Sequence, residues 1–250
     1  MINNNVLASY NGSQRGFTIR SMQLEQESFV NGDFNFPNLA AGPNNDVYLP
    51  SANHIYRYDL DGRLIKDMTF PDAGIDYTGI AVTHNRVFAI YEGSQLGVTV
   101  RDLDLNQISF FATGIKANGI AAGPNNDLYL AAGNHIYHYN IDGTLIQDMT
   151  FPDESINYTD ISVIGQRVYA AYNGSQEGFT VRDLQLKQLS FTNTGFNINA
   201  IAAGPDNTLY LSSANHLYHY QANGTLLKNM TFPDDRINYT GVSVIFTSLT

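Results

Sequence analysis

The chain has 250 residues, of which 43% are hydrophobic, 12% aromatic and 14% charged, a composition that supports a folded core rather than disorder. Its net charge of −10 would repel phosphate backbones and anionic membrane surfaces, so we expect no nucleic-acid partner. No apolar stretch approaches the roughly 18 residues of a membrane helix, and the first residues lack a signal-peptide pattern. We therefore expect no membrane insertion and assign no compartment, and the absence of cysteine excludes disulfides and thiolate chemistry.

The N-terminal stretch Val6–Tyr10 opens a sequence that repeats every 81 residues. The motif Tyr-(Asn/Glu)-Gly-Ser-Gln starts at Tyr10, Tyr91 and Tyr172, and a Gly-Pro pair starts at Gly42, Gly123 and Gly204. A fixed period of this kind is the signature of a repeat architecture. We therefore predict a single domain over residues 1–250, made of tandem 81-residue copies.

Each copy contains two units that read as four short strands separated by turn residues. In the middle copy the first unit has strands near 119–123, 128–130, 135–139 and 145–151, and the second near 159–163, 167–172, 178–182 and 188–191. Pro-Asn-Asn-Asp, Gly-Asn and Asp-Gly lie between the strands of the first unit, where tight turns are needed. No window shows helical periodicity, which favours an all-β fold.

The two ends of the chain predict how the repeat closes on itself. Val6–Tyr10 matches Val168–Tyr172, a second strand, whereas Asn238–Ile245 matches Asn157–Ile164, a first strand. Pairing them completes one unit and leaves no exposed edge. The prediction is a six-bladed β-propeller with four-stranded antiparallel blades, in which one C-terminal strand joins three N-terminal strands.

Residues 119–130 read Gly-Ile-Ala-Ala-Gly-Pro-Asn-Asn-Asp-Leu-Tyr-Leu, and Asn-His-Ile-Tyr and Asp-Gly-Thr-Leu follow at 134–137 and 142–145. This pattern resembles NHL-type propeller blades. The resemblance covers the first unit of each copy well and the second unit weakly. It implies a six-bladed fold with a ligand or partner surface at one mouth, in a group that includes scaffolds and some lyases. The two-blade architecture also resembles six-bladed fucose-binding lectins, although the tryptophan-rich sugar sites of those lectins have no counterpart here.

One face of such a propeller carries the loops between second and third strands and the loops between successive blades; we call it the looped face. These loops predict three similar clefts of polar and aromatic side chains. The candidate ligand-binding residues are Asn53, His54, Asp72, Tyr77, Tyr91, Ser94 and Gln95; Asn134, His135, Asp153, Asn157, Tyr158, Tyr172, Ser175 and Gln176; and Asn215, His216, Asp234, Asn238, Tyr239, Tyr10, Ser13 and Gln14.

Polar side chains beside an aromatic ring suit a carbohydrate, because hydroxyls need directional partners while the ring stacks on the sugar. We expect a non-enzymatic, lectin-like monomer with up to three equivalent sites. The structural alternative is that Asn-Gly and Gly-Ser only make turns and that the tyrosines fill the wedges between blades. The functional alternative is a protein-interaction scaffold, or a duplicated or engineered propeller without a small-molecule ligand.

Metal binding and catalysis have weaker support in the sequence. His54, His135 and His216 recur once per copy and would be ligands only if they converged near the axis, so no metal or cofactor is expected. A catalytic site needs an asymmetric group of residues, and none is evident. We therefore assign no catalytic residue, with lyase- or lactonase-like activity as the remaining enzymatic alternative.

Overall fold

Residues 4–245, which the computed structural model describes, form 24 strands in six four-stranded antiparallel sheets. The turns have the chemistry that the sequence predicts. Asn45, Asn126 and Asn207 follow the three Gly-Pro pairs with positive φ, which asparagine tolerates better than most residues. Pro205–Asn207 forms a single 3-10 turn.

Each blade begins at the channel and ends at the rim of the ring. In order from the innermost strand to the outermost, the sheets are β24 (Ile237–Ile245), β1 (Asn5–Gly12), β2 (Gly16–Ser21) and β3 (Gln26–Asn31) in the first blade; β4 (Ala40–Ala41), β5 (Asp46–Ser51), β6 (His54–Asp59) and β7 (Leu64–Thr69) in the second; and β8 (Ile75–Val82), β9 (Val87–Gly93), β10 (Gly97–Arg101) and β11 (Gln107–Ala112) in the third.

The second half of the chain continues the pattern. The fourth blade is β12 (Gly119–Ala122), β13 (Leu128–Ala132), β14 (His135–Tyr139) and β15 (Leu145–Thr150); the fifth is β16 (Asn157–Ile164), β17 (Arg167–Asn173), β18 (Gly178–Asp183) and β19 (Gln188–Asn193); and the sixth is β20 (Ala200–Ala203), β21 (Thr208–Ser213), β22 (His216–Gln221) and β23 (Leu226–Thr231).

The predicted closure of the ring is confirmed. Strand β24 pairs antiparallel with β1, with Val242 opposite Ala8 and Tyr239 opposite Tyr10. The first blade is therefore one C-terminal strand joined to three N-terminal strands.

The core lies between the faces of neighbouring blades, and tyrosine hydroxyls bridge three of the joints. Tyr48 donates to the Leu103 carbonyl at 2.8 Å, Tyr129 to Leu184 at 3.0 Å and Tyr210 to Met22 at 2.9 Å. Each buried ring fills a wedge while its hydroxyl satisfies a carbonyl of the next blade.

The six innermost strands surround a channel of about 250 Å³. Around the ring they follow the order β4, β8, β12, β16, β20 and β24, so β4 faces β16 across the axis. The wall is mainly Leu, Ile, Val and Ala, with four polar side chains from Asn38, Asp160, Ser162 and Ser243. Within residues 4–245 there is no helix long and apolar enough to cross a membrane.

Candidate functional site

Three serine–aspartate pairs on the looped face join loops that the sequence placed together. Ser94 Oγ donates to Asp72 Oδ2 at 2.9 Å, and Ser175 donates to Asp153 at 2.6 Å. Across the ring closure, Ser13 donates to Asp234 at 2.6 Å. In each pair the serine follows a second strand and the aspartate precedes a first strand. The loops meet as expected, at three like positions.

Local hydrogen bonds hold these three carboxylates in their charged form. The pKa of Asp72 is lowered by the amide of Gly74 and then by the Ser94 hydroxyl. Hydrogen bonds from Ser155 and Ser175 lower the pKa of Asp153, and those from Arg236 and Ser13 lower the pKa of Asp234. Asp72 and Asp153 are exposed and offer charged acceptors to a ligand, whereas Asp234 is half-buried and forms an ion pair with Arg236 at 2.9 Å.

The neighbouring asparagines and glutamines have two different roles. The side chains of Asn53, Asn134 and Asn215 each donate to a phenylalanine carbonyl at 2.9 Å, which fixes the loop. The Oδ1 atoms of Asn157 and Asn238 accept from Asn118 and Asn199 at 3.2 Å. The exposed glutamines of the looped face are Gln14, Gln95 and Gln176.

The three recurring histidines lie on the third strands of their blades and do not converge on the axis. His54 and His135 contact Asp67 and Asp148 at 2.7 Å through Nδ1, and His216 contacts Asn229 at 3.1 Å. Each ring also stacks on a tyrosine two residues further along its strand. This corrects the idea of a shared histidine site. Among residues 4–245, no three His, Asp or Glu side chains form a group that could hold a metal ion.

The six candidate tyrosines are buried in the blades. The ring of Tyr158 is fully covered, and its hydroxyl lies 3.2 Å from Arg182 Nη2, which donates to it. Tyr77 and Tyr239 accept from Arg101 and Arg20 in the same way.

Tyr10, Tyr91 and Tyr172 lie nearer the looped face. Tyr172 donates to the Thr192 carbonyl at 2.7 Å, and Tyr10 donates to the Val30 carbonyl at 3.0 Å. Their rings are also covered by phenylalanines. Phe29 stacks on Tyr10 at 4.6 Å between ring centroids, and Phe191 stacks on Tyr172 at 4.7 Å. Neither tyrosine offers a free ring face, which corrects the expectation of three equivalent stacking platforms.

The third blade differs from the first and fifth at this point. Phe110, at the position of Phe29 and Phe191, is 60% exposed and leaves a cleft of about 250 Å³ beside Tyr91. The cleft is lined by Phe70, Asp72, Ile75, Tyr91, Ser94, Gln95, Thr99 and Phe110. Four of the predicted ligand-binding residues therefore meet at one open cleft. Phenylalanine stands at all three positions, so the residue type at this position does not predict the difference.

The channel contains an asymmetric pair that the sequence analysis missed. Asp160 on β16 is only 4% exposed, whereas residues 79 and 241, one repeat away, are glycines. Asn38, just before β4 on the facing wall, has Gly119 and Ala200 at the matching positions. These departures from the repeat were the available signal. Asp160 and Asn38 thus form an asymmetric polar pair where no asymmetric catalytic group is evident from the sequence.

Asp160 and Asn38 both accept hydrogen bonds from backbone amides of residues that line the channel. Asp160 Oδ2 accepts from the Ile201 amide at 2.9 Å, and Asn38 Oδ1 accepts from the Leu39 amide at 2.6 Å. Burial raises the pKa of Asp160 to about 7, while hydrogen bonds from Ile201, Ile161 and Asn38 act in the opposite direction. Burial thus favours the protonated form of this carboxyl in the channel.

No protein-family model matches the chain, and no curated protein matches its sequence. Solved structures are similar in fold. A protein of unknown function from Bacteroides caccae has a TM-score of 0.76 and 11% identity over 97% of this chain and 99% of its own. A chain of the nidogen/laminin complex has a TM-score of 0.73 and 15% identity over 97% and 98%.

Streptogramin B lyase is a further structural neighbour, with a TM-score of 0.58 and 14% identity over 92% of this chain and 74% of the lyase chain. At these identities the likenesses show the fold alone. The protein is therefore a six-bladed β-propeller whose structural neighbours include NHL- and laminin-type propellers, and the resemblance in the sequence is confirmed at the level of fold.

Proposed function

We propose that the protein is a non-enzymatic, lectin-like binding protein that takes a carbohydrate on its looped face. The cleft of the third blade is the strongest of up to three positions. The observation that carries the proposal is the exposed ring of Phe110 beside Asp72, Ser94 and Gln95 in one cleft. A sugar can stack one face on an aromatic ring while its hydroxyls bond to a carboxylate and an amide.

The matching loops of the fifth and first blades supply weaker positions. Asp153 with Ser175 and Asp234 with Ser13 have the same hydrogen bond, but no exposed phenylalanine is beside them, because Phe191 and Phe29 are stacked on tyrosines. Aromatic stacking adds about 0.5–1.5 kcal/mol beyond burial, so its absence lowers affinity by about two- to twelvefold. We expect binding to saturate near one ligand per chain.

A glycan-array screen with labelled protein, followed by calorimetry on the best hit, tests this function. Phe110→Ala and Ser94→Ala should each weaken binding, with Ser175→Ala as the matched change on the fifth blade and Gln185→Ala, in the turn before β19, as the control outside the looped face. Silence across the array would refute the carbohydrate proposal. Equal loss from Ser94→Ala and Gln185→Ala would also contradict it, because the latter lies outside the looped face.

A protein-interaction scaffold is the second candidate, and exposed apolar side chains on the outer strands favour it. Leu64 and Ile65 are each 48% exposed on β7, and the pairs 145–146 on β15 and 226–227 on β23 are similarly exposed. Apolar side chains repeated around the rim are typical of a contact surface. A protein partner would cover about 800 Å². Hydrogen exchange with a captured partner would then protect the outer strands, whereas a glycan would protect only the looped-face loops.

A further inference from the structure

The first and fifth blades show what fills the cleft when it is closed. Phe191 lies on Tyr172 at 4.7 Å with an interplanar angle of 18°, and it also stacks on Phe151 at 5.9 Å. Phe29 repeats this arrangement with Tyr10 at 4.6 Å and Phe232 at 6.0 Å. In both blades one phenyl ring therefore occupies a seat between a tyrosine and a second phenylalanine.

The corresponding seat in the third blade has its walls but lacks its ring. Tyr91 and Phe70 stand where Tyr172 and Phe151 stand, and both line the cleft. Phe110 points outward, with 60% of its surface exposed. The cleft volume of about 250 Å³ exceeds the roughly 150 Å³ of an engineered apolar cavity that binds benzene. There is room for one aromatic ring, which Phe110 would border.

The open end of the seat is polar. Asp72, Ser94 and Gln95 line it, and the Asp72 carboxylate accepts from the Ser94 hydroxyl and from the Gly74 amide at 2.8 Å. A carboxylate with two oxygens still has acceptor capacity beyond these two bonds. A ring that carries a hydrogen-bond donor would therefore place its apolar body on Tyr91 and its donor at this polar open end.

We propose that the third blade has a binding pocket for a single aromatic ring bearing a hydrogen-bond donor, of the phenol class, seated where Phe29 and Phe191 sit in their own blades. Phe110 lies beside the seat as an exposed side chain. The pocket lies in the same cleft as the proposed carbohydrate site and shares Asp72, Ser94 and Gln95 with it, but its aromatic wall is Tyr91, whereas the sugar would stack on Phe110.

Titration of the full-length chain with p-cresol, followed by ligand-observed NMR and calorimetry, tests the pocket. We expect saturable binding of one cresol per chain. Tyr91→Leu, which removes the stacking face, should weaken binding by about two- to twelvefold. Because Tyr91 is largely buried, a thermal melt of Tyr91→Leu without cresol should show whether this variant is folded. A second variant, which opens a seat in another blade, gives evidence that does not depend on the folding of Tyr91→Leu.

That variant is Phe191→Ala, which empties the matched seat on Tyr172 in the fifth blade. It should raise the stoichiometry from one cresol to two, whereas Leu189→Ala, an exposed neighbour on the same strand, should leave it at one. Phe110→Ala should retain cresol binding while weakening any sugar binding. The two proposals can thus fail separately.

Two results would overturn the proposal that this pocket binds an aromatic ring. Absence of saturable cresol binding to both the wild-type chain and Phe191→Ala would show that the seat does not accept a free ring. Binding to Phe110→Ala but not to the wild-type chain would show that Phe110 fills its own seat in solution, as its counterparts do.

Discussion

At the scale of single residues, the channel is set apart by two side chains that break the repeat. Asp160 and Asn38 each replace a glycine or alanine found at the matching positions of other blades. Asp160 accepts from the amide of Ile201, and Asn38 accepts from the amide of Leu39. Gly79 and Gly241 have no side chain that could take the place of Asp160, and Gly119 and Ala200 have no side-chain acceptor that could take the place of Asn38.

The raised pKa of Asp160 predicts how stability depends on pH. Folding favours the protonated form, so the stability from this group is complete below its unfolded pKa of 3.8 and is lost as the pH rises through about 7. A shift of this size corresponds to roughly 4 kcal/mol. Asp160→Asn stays neutral and should be more stable than the wild type at pH 8, but not at pH 4.

Urea unfolding of both chains at several values between pH 4 and pH 8 measures this difference. Asp61→Asn, an exposed carboxyl in the turn after β6, is the control and should show no comparable crossover. A constant difference between wild type and Asp160→Asn across the range would mean that Asp160 does not change its protonation on folding in this window.

At the scale of elements, bridging tyrosines hold the joints between blades. The Tyr129 hydroxyl donates to the Leu184 carbonyl in the turn between β18 and β19 of the next blade. Tyr129→Phe keeps the ring in its wedge but leaves that carbonyl without its partner. The expected loss is about 1–2 kcal/mol of unfolding free energy, from the missing hydrogen bond and the unsatisfied acceptor.

Chemical denaturation of Tyr129→Phe against Tyr137→Phe measures the bridge. Tyr137 lies on the next strand of the same blade, is less buried and forms no bridge of this kind to the next blade. If the two variants lose the same stability, the interblade hydrogen bond adds nothing beyond an ordinary tyrosine hydroxyl.

The sequence predicted the elements better than it predicted the site. Strand positions followed from the turn residues between short segments without helical periodicity, and the Ser94–Asp72 contact followed from placing two loops on one face. The tyrosines were predicted to be stacking platforms but are buried, because their rings have enough apolar surface to fill a wedge while a single backbone carbonyl satisfies the hydroxyl. The pairing of Asn38 with Asp160 could not be predicted without the geometry of the ring, since the two residues meet only when β4 faces β16.

At the scale of the whole molecule, the ring is closed by hydrogen bonding between its two ends. Strand β24 contributes the inner strand of the first blade and contacts the channel, β1 and the sixth blade. Its side chains at Ile237, Tyr239, Val242 and Ile245 are all buried. Closure therefore depends on packing as well as on the ladder with β1.

Removal of this strand should abolish cooperative folding. Each large apolar side chain contributes about 1.5–3 kcal/mol by burial, so four of them approach the 5–15 kcal/mol that stabilises a typical domain. A chain ending at residue 233 would also expose the edge of β1. We expect it to lose the sharp thermal transition of the full-length protein and to aggregate through that edge.

A synthetic peptide of residues 234–250 makes the test specific, because it can supply the missing strand in trans. Added to the shortened chain, it should restore the transition at concentrations set by its affinity, whereas a peptide with Tyr239 and Val242 changed to Asp should not. Restoration by both peptides would show that main-chain pairing alone closes the ring. A cooperative transition in the shortened chain without peptide would show that five complete blades and three strands already suffice, and that β24 is not needed for cooperative folding.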